Sequence, residues 1–267
     1  ILFTPRKCLK YPIYLLLKVT MLSSKIKLHW LDFSGLGLSV LERLCLEEIL
    51  LRYDNRSWAL MGTHEPLSHR FLSNVSPQVS GSSCSKKTEQ SCIIVMGLGG
   101  KPKNLLNLDA VKADGIMVLK RFTGGGTVVL DHNSLWTTFI GQKQDFSKVE
   151  PFPRPIMSWS ANEIFKPTFN ELKNQALLHI PGGDIPDFNL LEDDYILGER
   201  KMGGNAQAIV KDGWLHHTSF LWDYNSENMK YLSLPSKRPD YRSDRSHDDF
   251  LVKLSDIYPS EMRPKDF

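Results

Sequence analysis

Apolar positions along the chain follow two periods. In SVLERLCLEEILLRY, residues 39–53, they recur every three to four residues, and Leu41, Leu44 and Cys45 form a stripe that predicts a helix. Ser39 stands at its N-cap and Glu42 three residues on completes a capping box. Short apolar, β-branched runs predict strands in CIIVMG, which ends at Gly97, and in GIMVLKR, TVVL and SLWTTFIG. RPIMSWSANEIF predicts a helix with Pro155 in its first turn. Residues 179–187 are rich in Pro, Gly and Asp and predict a loop. DYILGER reads as one strand, and AQAIVKDGWLHHTSFLW as two strands turning at Asp212-Gly213. SENMKYL and SHDDFLVKLSDIY predict two further helices, the second capped by Ser246. Helices flanking strands joined partly by hairpins predict an α+β fold with a large mixed, mainly antiparallel sheet.

Composition narrows the function classes. The 267 residues carry 33 basic and 30 acidic side chains, a formal +3 that argues against a nucleic-acid partner. Cys8, Cys45, Cys84 and Cys92 are scattered without zinc spacing, and all four precede the glycine run discussed below. YPIYLLLKV is too short and too interrupted to span a membrane, so no transmembrane segment is expected. Six Lys and Arg and no acid fall between Ile1 and Leu31. That pattern fits an organelle presequence or sequence upstream of a start at Met21, so residues 1–25 read as a basic extension. Residues 26–267 then read as one domain, with a Ser-rich loop insert at about residues 73–91.

Two stretches carry candidate chemistry. GLGGKP after a strand is not a dinucleotide loop, because Pro102 stands where the third glycine belongs; it reads as a tight turn with Lys101 at a pocket rim. RFTGGGTVVLD places Gly124, Gly125 and Gly126 between two strands. Each glycine costs roughly 0.5–1 kcal/mol relative to Ala. A third in one connection suggests close approach to the backbone, or an anion nest; a wide bulge or flexible hairpin is the alternative. DDYILGERKMGGNAQ places Asp194 and Lys201 at opposite ends of the expected strand, followed by Gly203-Gly204. The ammonium is suited to a phosphate or carboxylate. Asp193 and Asp194 are candidates for holding Mg²⁺, with an ordinary acidic turn as the alternative. His216 and His217 fall on opposite faces of a strand, which predicts one buried and the other near solvent or a pocket.

KRFTGGGTVVLD resembles the R-R-x-S-G-G-G-A-V-x-H-D signature of the lipoate–protein ligase A family. DDYILGERKMGGNA is similar to that family's N-D-x-x-x-x-x-x-K-x-x-G-x-A segment, LHHTSFL to its H-H-G-T-L-L strand, and LCLEEIL to its early helix. Order and spacing agree over about residues 27–234, and the glycine–arginine loop of biotin ligases is absent.

The resemblance implies a class II synthetase/biotin–lipoate ligase catalytic domain. Lipoate or octanoate would attack ATP, with Mg²⁺, to give an acyl-adenylate. The lysine of a lipoyl domain, in a 2-oxoacid dehydrogenase complex or the glycine-cleavage H protein, would then take the acyl group. Lys201 is the implied catalytic residue. Arg121, Thr123, Gly124, Gly125, Gly126, Asp131, Gly204, Ala206 and His217 would bind substrate and nucleotide, with Asp194 and Asp193 at the metal. Lys120, Thr123, Leu130, Asp193 and Thr218 depart from the family pattern. Many members carry a further accessory domain after the segment matched here, so a separate accessory subunit is expected. Transfer from preformed lipoyl-AMP or an octanoyl carrier without ATP, and non-catalytic lipoyl-domain binding, are the alternatives. The location implied is mitochondrial or plastid if the extension is a presequence, and cytoplasmic otherwise.

Overall fold

The computed structural model describes residues 17–20, 27–34, 36–63, 92–131, 134–233 and 239–262. The Ser-rich insert and most of the basic extension lie outside them. The main sheet runs in the order β1 (Leu17–Thr20), β2 (Lys27–Asp32), β3 (Trp58–Thr63), β7 (Ser134–Gln142), β12 (Gly213–Leu221), β11 (Gly203–Ile209). Only β2 and β3 pair in parallel; the other neighbours are antiparallel, so the sheet is the mixed, mainly antiparallel one expected. It begins at Leu17, inside the segment read from sequence as an extension.

Both central strands, β7 and β12, are buried at every position. Both faces of the sheet are therefore covered, and such strands lose the simple alternation of apolar and polar residues. On one face lie α1 (Val40–Tyr53) and a small sheet of β5 (Met117–Lys120), β4 (Ile93–Met96) and β6 (Val128–Leu130), joined through Leu44, Ile93, Val95 and Trp136. Two short helices, α2 (Pro102–Leu105) and α3 (Leu108–Ala113), link β4 to β5. The other face is covered by α4 (Pro153–Trp159), a π-helical turn (Ser160–Phe165) and α5 (Lys166–His179). Phe139, Phe165, Phe169 and Phe220 fill that interface. A third sheet, β8 (Phe188–Leu191), β9 (Asp194–Leu197) and β10 (Arg200–Lys201), closes this side. No helix among the described residues is long and apolar enough to cross a membrane.

Four expectations need correction. The capping box at Ser39 and Glu42 is present, but the buried face of α1 is Val40, Arg43, Leu44, Glu47 and Leu51. Leu41 and Cys45 are only half-buried, because α1 is turned to bring Arg43 and Glu47 onto the sheet. DYILGER is a hairpin, not one strand: Gly198 has φ +59°, and Lys201 returns to pair with Ile196. The helix capped by Ser246, α6 (His247–Phe250), stops early; Val252 N–H donates to Lys201 O, so the chain leaves the helix to hold β10. The segment SENMKYL forms a 3₁₀ rather than an α-helix.

Candidate functional site

The glycine run is not a hairpin. Its flanking strands, β5 and β6, lie on opposite sides of β4, so the connection must cross the end of β4 at Gly97. The crossing is tight: a Cβ on Gly97 would lie 2.1 Å from Gly125 O. The turn after β4 is closed by Gly100 N–H donating to Gly97 O, and Lys101 is exposed rather than turned inward. Arg121 shapes the loop from beneath, donating from Nη1 to Val95 O (3.2 Å) and from Nη2 to Gly124 O (3.0 Å) and Gly126 O (2.7 Å). Burial pushes its guanidinium down to about 10, still charged at neutral pH. Arg121 is thus spent on backbone carbonyls. Thr123 beneath the loop is fully buried, with no hydrogen-bond partner for its hydroxyl among the described residues.

The loop docks on the outer edge of β11, where Gly124 N–H donates to Gln207 O (2.7 Å). Gly125 has φ +99°, and a Cβ there would meet Asn205 O at 2.7 Å, so the fold itself demands glycine. Gly126 has no atom within 4 Å of its Cβ position, and Gly124 has only Gln207 O at 3.6 Å. Those two are bare where the fold would accept a side chain. The loop forms one wall of a cavity of about 580 Å³, with the first turn of α4, Asp193 and the β11 residues Asn205, Ala206 and Gln207 as the others. Gly124→Ala and Gly126→Ala should therefore leave stability within ~0.5 kcal/mol. Gly124→Ala, at the cavity wall, should weaken binding of an acyl-adenylate analogue in calorimetry, with Gly126→Ala, which does not line the cavity, as the control. Gly125→Val should instead lower the melting temperature by unseating the loop. Unchanged analogue affinity in Gly124→Ala would remove the loop from the site.

Lys201 Nζ lies 2.5 Å from Asp194 Oδ1, and the second carboxylate oxygen accepts from Tyr241 O–H (2.9 Å). The Asp194 side chain is 7% exposed and that of Lys201 24%. Burial and the Asp194 charge together push the Tyr241 hydroxyl well up, so it stays a donor. Lys201 does not itself line the cavity, but Asp193 of the cavity wall directly precedes Asp194 of this pair. Asp193 faces the other way, toward Arg154 at 3.3 Å, and both are exposed. The two aspartates do not share a site, and among the described residues no three His, Cys, Asp or Glu side chains converge on one ion.

The remaining candidates divide. Ala206 is buried in the cavity wall, opposite His217 in register. Gly204 gives room to Val128, whose Cγ1 would lie 2.8 Å from a Cβ there. Asp131 sits at the far end of β6 and accepts from Asn225 N–H (3.1 Å), so the fold does not bring it to the glycine loop. Both histidines are buried, not one. The Nδ1 of His217 is 2.9 Å from Glu47 Oε2, and burial outweighs that carboxylate and keeps the ring below its usual range. Burial pushes His216 to about 3. It contacts Tyr195 and Gln207, two residues that sequence reasoning missed together with Arg43 and Glu47. The available signal was a charged i,i+4 pair, Arg43 and Glu47, inside an otherwise apolar helical face.

Residues 87–267 match the family model described as the lipoyl protein ligase A/B catalytic domain. The chain is 29% identical over 257 residues to the inactive lipoate–protein ligase 2 of Plasmodium falciparum (isolate 3D7), covering 85% of this chain and 63% of that protein. It is 27% identical over 159 residues to the mitochondrial lipoyl amidotransferase LIPT1 of Homo sapiens, covering 60% of this chain and 37% of that one. The chain thus spans less than two thirds of either relative. The crystal structure of P. falciparum LipL1 in complex with lipoate superposes with a TM-score of 0.52 at 19% identity, over 86% of this chain and 56% of that one, which shows the same fold. With more than half its length matched by one family model, the chain belongs to the lipoyl protein ligase A/B catalytic-domain family.

Proposed function

We propose that the chain transfers a lipoyl or octanoyl group from an acyl-adenylate to the lysine amine of a carrier lipoyl domain. The observation that carries this reading is Lys201, a part-buried ammonium fixed by Asp194, the residue next along the chain from Asp193 of the cavity wall. The amine nitrogen attacks the acyl carbonyl carbon, the bond from that carbon to the phosphate oxygen breaks, AMP leaves, and the amine gives up a proton. An ammonium near the carbonyl and phosphate oxygens stabilises the charge that develops on both.

The wall is less suited to making the adenylate. Its charged side chains among the described residues are Arg154 and Asp193, which pair with each other. A triphosphate would find little uncompensated positive charge there. Asp194 has both oxygens occupied and Asp193 is turned away, so this pair does not fit a magnesium ion. ATP-dependent adenylation is accordingly assigned to the chain acting with a separate accessory subunit. Among the relatives' names, the amidotransferase supports transfer, whereas the lipoate–protein ligases support the full ligase reading. Residues 1–16, ahead of β1, carry Arg6, Lys7 and Lys10 and no acid, which supports an organelle presequence as their role.

The two half-reactions should separate. Pyrophosphate exchange with ATP and lipoate or octanoate should be weak or absent for the isolated chain. Transfer from synthetic lipoyl-AMP to an apo lipoyl domain should proceed, read by the mass of the domain. Brisk exchange would restore the full ligase reading, and no transfer at all would leave a lipoyl-domain binder.

A further inference from the structure

Gln207 stands between the glycine loop and α4, and its side-chain amide can be oriented from its partners alone. Nε2 lies 3.0 Å from Pro153 O and 3.1 Å from His216 Nδ1. A carbonyl oxygen only accepts, so the atom facing Pro153 is the amide nitrogen. Its second N–H then goes to His216 Nδ1, which must be the bare ring nitrogen. His216 is fully buried and neutral, so its proton is on Nε2. That N–H donates to Tyr195 Oη (2.9 Å), Tyr195 O–H donates to Ser160 Oγ (2.6 Å), and Ser160 O–H donates to Met157 O (3.0 Å). Thr218 Oγ1, 3.4 Å from the same ring nitrogen, gives its own proton to Asn205 Oδ1. The network touches α4 at both ends: Gln207 donates to Pro153 O, and from Gln207 the donors run in one direction through His216, Tyr195 and Ser160 to Met157 O.

The consequence lies at the cavity wall. Both amide N–H groups of Gln207 are committed, one to Pro153 O at the cavity wall and one to His216 Nδ1 beneath it, which leaves Oε1 as the free acceptor of that side chain. A lone amide oxygen does not supply the paired N–H and oxygen by which an amide reads adenine. It suits a single N–H donor on an apolar stem. The surrounding wall supplies Pro155, Met157 and Ala206 for the stem.

We propose that this cavity receives the side chain of the acceptor lysine, with Gln207 as a specificity-determining residue and His216, acting through it, as a positioning residue. The assignment of the lysine to a carrier domain rests on the function proposed above. The Gln207 oxygen holds the amine while the methylene stem lies along the apolar wall, which disfavours the charged form and so favours the nucleophilic amine.

The test is a double-mutant cycle on binding, independent of turnover. Calorimetry would compare an apo lipoyl domain with the same domain carrying alanine for its acceptor lysine, against the unmodified chain and Gln207→Leu. Loss of the lysine should weaken binding to the unmodified chain about tenfold, and to Gln207→Leu by less than about twofold. His216→Leu should lose the same lysine dependence, and Gln207→Met repeats the comparison should Gln207→Leu fold poorly. Equal losses in all proteins, or no binding of the domain, would overturn the proposal. A parallel loss of acyl-adenylate analogue affinity in the Gln207 variants would also overturn it, by assigning Gln207 to the nucleotide. Coupling without transfer from lipoyl-AMP fails the proposed function alone; transfer without coupling fails this inference alone.

Discussion

Replacing Lys201 with alanine should slow acyl transfer from lipoyl-AMP by about 10²–10³-fold, the loss usual for one preorganised donor at a developing oxyanion. The ammonium is preorganised by two contacts. Asp194 Oδ1 holds it at 2.5 Å, and Val252 N–H fixes the Lys201 main chain through its carbonyl at 2.9 Å. Lys201→Arg should rescue poorly, because a planar fork cannot take the place of a compact charge against a carboxylate already shared with Tyr241. Removal of the ammonium also leaves a nearly buried carboxylate with the Tyr241 hydroxyl as its donor, which lowers stability. The comparison is therefore single-turnover transfer at equal folded concentration, with Asp194→Asn as the companion that keeps the lysine but loosens it. Equal rates for Lys201→Ala and the unmodified chain would take Lys201 out of the mechanism.

What could be read from the chain depended on how local its cause was. The capping box of α1 involves residues three apart, and both of its hydrogen bonds are found. The turn at Asp212 joins two antiparallel strands whose register is regular from Gly203 to Leu221. The glycine triplet was visible as unusual, but its explanation is partly different from the expected one. Gly125 is bare because the connection crosses β4 and meets Asn205, which follows from strand order, and strand order is not carried by any nearby residue. The break in DYILGER did have a local sign, a glycine inside an apparent strand, and Gly198 is the turn.

The histidine pair shows the opposite limit. Alternation places His216 and His217 on opposite faces, as found: His216 lies opposite Phe139 on the α4 side, and His217 opposite Thr138 on the α1 side. Burial of both follows only once helices cover each face, a tertiary fact. Each ring then finds a different use. His216 orders an amide at the cavity, whereas His217 enters a charged cluster under α1.

That cluster yields the second large effect: Arg43→Leu should destabilise the fold by about 3–5 kcal/mol, the range for breaking a buried ion pair from one side. Arg43 is 1% exposed, donates to Gly62 O (3.1 Å) and Trp136 O (2.9 Å), and lies 3.5 Å from Glu47 Oε1. Glu47 is fully buried and accepts from Thr138 O–H at 2.6 Å. Without Arg43 its charge is left to neutral donors in a dry site. The double variant Arg43→Leu/Glu47→Leu should cost less than the sum of the single changes, because it removes both charges at once. Acid should act on the same cluster in two stages. Burial alone would raise the Glu47 pKa, but His217, Arg43 and Thr138 outweigh it and hold the carboxyl below its usual 4.5. Its contribution is therefore present above about 4.5 and lost as pH falls through the lower folded value. For His217 burial wins over the Glu47 charge, so the folded value lies below 6.5. The unfolded chain takes up that proton first, and stability begins to fall as pH drops through about 6.5. Urea midpoints at pH 7.5, 6 and 5 should decline from the first value to the last, with the decline reduced in His217→Gln. His216, pushed to about 3 by burial, adds to the same decline, so a decline left unchanged in His217→Gln would mean that the His217 ring is already protonated in the folded protein, and that Glu47 is balanced by two cations rather than by Arg43 alone.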